Sequence, residues 1–319
     1  MRPSQIIPAR LRLARRRTPW LGSSAPCCYT QPVSRLIVNA DDFGLTAGVN
    51  RAIVELHGQR VVTSATLMAM AGATAQAVEI AGATPTLGVG CHVVLVDGDP
   101  VLPTREIASL VERKSGQFRP AISAFLGRLF TGRIRAAEIE AETAAQIAWL
   151  QSRGVRLTHI DTHKHTHMFP AVLRPVLRAA RAAGIRAVRN PFEPAWALRA
   201  FAGASWARIA EVTVLRRLER VCRQIIAEEG FATTDGTIAM VGTGVLNTAT
   251  LRSLLERLPP GTWELVTHPG YNDADLARVR TRLRASREVE REALLVLRQF
   301  PGIELISFAD LHAGTGPVL

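Results

Sequence analysis

Cysteine is scarce in this sequence. Cys27, Cys28, Cys91 and Cys222 are the only four in 319 residues and no two form a CxxC pair, which excludes a disulfide scaffold and a cysteine-rich metal centre. A reducing, cytoplasmic setting is the default expectation. Lysine is nearly missing: Lys114 and Lys164 stand alone among the arginines, so the formal net charge of +12 reflects an arginine-rich composition more than a built polyanion surface. No nucleic-acid partner is expected. Long hydrophobic runs are missing too. Val61 to Val78 carries no charge, but Thr63, Ser64, Thr66, Gly72, Thr74 and Gln76 interrupt it, so it suits a buried strand and the start of a helix better than a membrane span.

The basic excess is concentrated at the front of the chain. Arg2, Arg10, Arg12, Arg15, Arg16 and Arg17 lie in residues 1–34 without one acid, and removing that segment halves the net charge. Arg15-Arg16-Arg17 is open to reading as a twin-arginine export signal, yet Thr18 to Ser24 lacks the apolar run such a signal needs. A disordered extension, or a start placed too far upstream, is the expectation. Residues 35–319 contain no repeat or linker and are expected to form one domain.

What the chain does contain is a regular alternation. Short apolar runs at Leu36–Ala40, Val62–Ala69, Leu87–Leu95, Leu157–His163, Ile185–Asn190, Thr237–Val241, Trp263–His268 and Ile303–Phe308 are mostly followed by helically spaced stretches such as Ala47-Val49-Ala52-Ile53-Leu56. Eight βα units predict an α/β fold, a distorted TIM-barrel-like (β/α) barrel. Residues 112–151 and 191–235 carry helical patterning without a strand, which predicts helical insertions.

The residues able to do chemistry fall at or just beyond strand ends, where such a fold places its active site. Asp41 and Asp42 are adjacent carboxylates that can serve one site only if the chain turns there, as Gly44 permits; they would equally suit capping of the helix that follows. Four of the eight histidines stand within His159-Ile160-Asp161-Thr162-His163-Lys164-His165-Thr166-His167. In an extended chain His159, Asp161, His163, His165 and His167 share one face, a surplus of imidazole that no apolar core needs. His92 lies alone in an apolar strand between small residues; joined to an aspartate and a second histidine it would complete a two-histidine, one-carboxylate metal site. His268, before Pro269-Gly270, is placed to protonate a leaving group or to stabilise a turn. The apolar strand around Cys91 favours a buried, inert thiol.

Five stretches together resemble the YdjC-like carbohydrate deacetylases, a family that includes chito-oligosaccharide and hopanoid-biosynthesis-associated deacetylases. They are Ile37–Leu45, Val62–Met68, Gly90–His92, His159–Pro170 and Thr267–Tyr271, and the likeness runs from about Arg35 to Leu311. The resemblance implies removal of N-acetyl groups from an acetylated amino sugar by hydrolysis of a linear amide, giving acetate and a free amine. It implies Asp41 as general base, Asp42, His92 and His163 as ligands of one divalent metal ion, His268 as general acid and Arg189 as the residue that orients the base. Periodicity alone leaves His159, His163 and His165 equivalent; the family's His-x-Asp-x-His order selects His163. Magnesium is the family's usual metal, whereas two imidazoles and a carboxylate suit zinc. A homodimer is a family-level expectation.

Two substrates stay open, an N-acetylglucosamine oligosaccharide and a glycolipid. In the glycolipid case the arginines between Arg278 and Arg298 would face an anionic membrane; otherwise they form a solvated face paired with Glu288, Glu290 and Glu292. A metallohydrolase cutting another bond, such as a phosphoester, and a non-catalytic carbohydrate binder are the alternatives.

Overall fold

The computed structural model describes residues 34–201 and 206–311, so nearly all of the arginine-rich leading segment lies outside the described residues. β1 (Ser34–Phe43) is buried without a break from Leu36 to Phe43, the pattern of a parallel strand covered on both faces. Around it lie β2 (Ser64–Leu67), β3 (Gly88–Val93), β4 (Ile160–Thr162), β5 (Gly236–Ile238), β6 (Gly261–Thr267) and β7 (Glu304–Ile306). The sheet runs in the order β4-β3-β2-β1-β6-β5, every pairing is parallel, and β7 joins only β1.

Helices connect the strands, as parallel pairing requires. α1 (Ala47–Gly58) follows β1 and α2 (Thr74–Ala83) follows β2. α3 (Ile122–Phe130) and α4 (Ala136–Gln151) lie between β3 and β4. α5 (Pro170–Ala182), α6 (Ala195–Leu198), α7 (Trp206–Leu215) and α8 (Glu219–Glu228) lie between β4 and β5. α9 (Thr248–Leu255) precedes β6, and α10 (Ala274–Arg278) and α11 (Arg284–Ala293) follow it. The helical patterning expected in 112–151 and 191–235 is therefore present. α1 shows why such segments coil: Val49, Ala52, Ile53 and Leu56 form one buried stripe, and the Thr46 side chain accepts the Val49 N–H at its start. The cap is thus Thr46, and neither Asp41 nor Asp42 is used for it.

The expected distorted barrel forms in part, with seven strands in place of eight among the described residues. Ile185–Asn190 makes only single bridges, Val188 to Ile160 and Ala187 to Ala232, in place of a full strand. These carry the curl of the sheet past β4 to the chain just ahead of β5. β7 does not extend the ring either: Arg35–Ile37 of β1 pairs with β6 on one edge and β7 on the other. β7 therefore shares an edge with β2, beside the start of β1. The result is a curled, parallel half-barrel with covering helices. The uncharged stretch from Val61 holds β2 and the start of α2, and no helix among the described residues is long and apolar enough to cross a membrane.

Candidate metal centre and its carboxylate network

The two adjacent aspartates reach one site through a fault in β1. Its register to β2 slips between Ala40 and Phe43, and within that slip Asp42 takes φ 64°, a left-handed conformation seldom held by a residue with a side chain. The break cancels the strict alternation that would send the two carboxylates to opposite faces. Gly44, at φ 95°, only continues a turn that Asp42 has begun.

Asp41 belongs to Arg189. The guanidinium donates to both of its oxygens, at 2.6 and 2.8 Å, and also reaches Asp161 Oδ2 at 2.5 Å and Glu264 Oε1 at 2.8 Å through Nε. All four groups are buried. Burial would raise the Asp41 carboxyl, but Arg189, together with the nearby His92 and His268, outweighs it and holds the group below its ordinary range, so Asp41 is ionised at neutral pH. Burial wins at Glu264, which is pushed up to about 7 despite the same arginine. Asn39 Nδ2 also donates to Asp41 Oδ1, at 2.9 Å.

Beside this network three donor atoms converge. Asp42 Oδ1 lies 3.6 Å from His92 Nε2 and 3.3 Å from His163 Nδ1, and the two ring nitrogens are 3.2 Å apart. An ion holding three ligands at ordinary metal–ligand distances in tetrahedral geometry would space them by about 3.4 Å. Two further observations fit a cation. Asp42 Oδ1 is buried without a hydrogen-bond partner among the described residues, and His92 gives its Nδ1 to Asp161 Oδ1 at 2.7 Å, leaving Nε2 turned toward the other two donors. β3 and β4 set up that contact, since His92 and Asp161 are register partners. The cluster can hold a metal ion. Asp41, His92 and Asp161 also lie close enough together to be considered, but Arg189 already occupies both carboxylates, so a dication there would face a guanidinium.

The histidine run does not line up on one face. β4 ends at Thr162, and a 3-10 turn over His163–Met168 follows in which Lys164 and His165 take φ 55° and 53°. That reversal turns His163 to Asp42 and separates it from its neighbours. His159 points elsewhere: its Nε2 meets Asn39 Oδ1 at 3.1 Å, and its ring stacks 3.9 Å from that of Phe308. Gly90 makes room for it, since a Cβ there would stand 2.6 Å from the ring. His167 Nδ1 is 2.8 Å from Thr162 Oγ1. Only His163 of the run joins the cluster.

His268 follows β6 and faces Asp41, Nε2 to Oδ2 3.9 Å. Behind it stands Glu290 of α11, which accepts the His268 backbone N–H at 2.7 Å and the Thr267 hydroxyl at 3.1 Å. One helical turn earlier, Arg287 donates to Asp42 Oδ2. Both α11 residues are 1% exposed, so at these positions the expectation of a solvated or membrane-facing charge stripe is wrong. The sequence signal for them was faint: in a helix crowded with Arg and Glu, nothing but spacing from Ala293 marks Arg287 and Glu290 as inward.

The family described as YdjC-like protein matches residues 35–297. This chain belongs to that family. Among relatives, a Brevibacillus brevis protein named carbohydrate deacetylase is 44% identical over 146 residues, covering 46% of this chain and 55% of its own length. A Thermoanaerobacter pseudethanolicus protein of the same name is 28% identical over 259 residues, 81% of this chain and 90% of its own. A solved structure from Enterococcus faecalis V583, titled as a proposed cellobiose-phosphate cleavage protein, matches with TM-score 0.67 and 27% identity over 86% of this chain and 98% of that one. Family membership covers β1 through α11, and with them every candidate site residue.

Proposed function

We propose that this YdjC-family chain is a metal-dependent carbohydrate deacetylase that hydrolyses the acetamide of an N-acetylated amino sugar. The observation that carries the reading is the meeting of Asp42, His92 and His163 at 3.2–3.6 Å, next to an ionised Asp41 that faces His268. The names of the Brevibacillus and Thermoanaerobacter relatives support the substrate class. A divalent cation held by Asp42, His92 and His163 would supply Lewis acidity to a carbonyl oxygen and to water. Two imidazoles and one carboxylate favour zinc or another transition metal, and magnesium remains the competing assignment.

The protein's own groups do the proton work in this reading. Asp41 accepts a proton from water, and the bidentate grip of Arg189 fixes where its oxygens stand. His268 delivers a proton to the departing nitrogen, its main chain anchored by Glu290. Acetate and a free amino sugar leave.

The test is acetate release by the purified protein from N-acetylglucosamine oligomers and from an N-acetylglucosaminyl lipid, with and without chelator, beside Asp41→Asn. Chelator-sensitive release that disappears in the variant is expected, and the substrate that works identifies the natural class. No release from either, with metal shown to be bound, would move the assignment to another hydrolysed bond.

A further inference from the structure

Two carboxylates stand side by side in β1, and each is met by a different arginine. Arg189 takes both oxygens of Asp41. Arg287 reaches Asp42 through Nη2 alone, at Oδ2. The consequence is that both oxygens of Asp41 are already committed to a cation, whereas Asp42 keeps one, Oδ1, buried, without a hydrogen-bond partner among the described residues and turned to His92 and His163. We propose that Arg287 is a positioning residue: it pins Oδ2 of Asp42 and so makes that residue the one-oxygen metal ligand of the pair. The inference rests on the metal-dependent reading above.

Several features suit that task and little else. Arg287 is 1% exposed, and its Nε and Nη1 find no acceptor among the described residues, a costly state for a buried guanidinium kept only for packing. Its stem passes Gly270, where a Cβ would stand 3.0 Å from Arg287 Cδ, so the Pro-Gly turn after His268 gives this side chain its path. The Gly270 N–H is in turn tied to the Arg287 carbonyl at 3.3 Å. Asp42 also needs holding: its φ of 64° detaches it from the strand register that would otherwise fix its direction. α11 thus reaches both sides of the site within one turn, Arg287 at Asp42 and Glu290 at His268.

The experiment loads the metal-free full chain with Co2+ and records its d–d absorption, which reports the ligand sphere whether or not the enzyme turns over. Arg287→Met is expected to keep one cobalt per chain but to shift the bands, because Asp42 becomes free to offer both oxygens. Acetate release from N-acetylglucosamine oligomers should fall about 10- to 100-fold in kcat, with KM little changed. Arg287→Lys, which restores a cation over Oδ2, should return the spectrum toward that of the parent. An Arg287→Met spectrum identical to the parent's, or an Arg287→Lys spectrum no closer to it, overturns the inference alone. Cobalt binding absent from the parent, or unchanged in Asp42→Asn, overturns the metal reading and this inference with it. Should Arg287→Met not fold, Arg287→Gln, polar but uncharged, takes its place with the same two outcomes.

Discussion

Arg189 grips Asp41 by both carboxylate oxygens, at 2.6 and 2.8 Å, while the same guanidinium reaches Asp161 at 2.5 Å and Glu264 at 2.8 Å. One buried cation therefore holds three buried acidic groups, and removing it strips each of that partner and leaves Asp161 with His92 as its remaining ion-pair partner among the described residues. Arg189→Met should destabilise the fold by about 3–5 kcal/mol, read as a lower denaturant midpoint, besides abolishing activity. A midpoint within error of the parent's would mean that the network is not a structural unit.

His163 and His165 are two residues apart and differ completely in what they face. His163 Nδ1 is 3.3 Å from Asp42 Oδ1, whereas His165 lies within the left-handed turn that follows, with no ion pair to that carboxylate among the described residues. His163→Asn is expected to weaken zinc binding to the metal-free protein by about tenfold or more, with His165→Asn near the parent value. Calorimetric titration decides it, and the reverse order would sink the assignment of His163.

Acid should destabilise the protein through its buried neutral histidines. Burial pushes His159 from 6.5 down to about 3 and His167 down to about 4. Below about pH 6.5 the unfolded chain binds protons at these positions that the folded chain refuses, so their stabilising effect is complete above that pH and lost as pH falls toward the folded values. Between pH 7 and pH 5 each group alone should cost about 2 kcal/mol. Urea unfolding of the parent and of His159→Gln at both pH values tests this. The variant should lose about 2 kcal/mol less over the interval, and equal losses would show that His159 is not a buried neutral group.

Cys91 and Cys222 are both buried, and burial pushes their thiols upward, Cys222 to about 12. Neither should react with iodoacetamide until the chain unfolds. Mass spectrometry of alkylated peptides from native and urea-treated protein checks this, and native-state labelling of Cys91 would contradict its place in the sheet.

Much of the architecture was legible because it rests on local pattern. Leu36–Ala40 and Trp263–His268 reveal β1 and β6 by their apolar runs, since a parallel strand covered on both faces has no polar side to break the run. Ile185–Asn190 has the same look and fails as a strand: hydropathy records burial but not hydrogen-bond partners, and this segment makes only single bridges. The count of eight went wrong for the same reason. Asp41, Asp42, His163, His268 and Arg189 were visible at or near strand ends and His92 within a strand, and the structure gathers all six around one centre.

The sequence by itself determined which chemistry is available: imidazoles and carboxylates in and at the ends of parallel strands, and membership of the YdjC-like family, because residue type and order are one-dimensional properties. Only the tertiary structure decided which groups pair. Asp42 turns at φ 64°, the histidine run reverses at Lys164 and His165, and Arg287 and Glu290 arrive from a helix some 245 residues downstream of β1's carboxylates. Backbone handedness at single residues, and contacts across that span, are set by packing of the whole chain and leave no periodic trace in it.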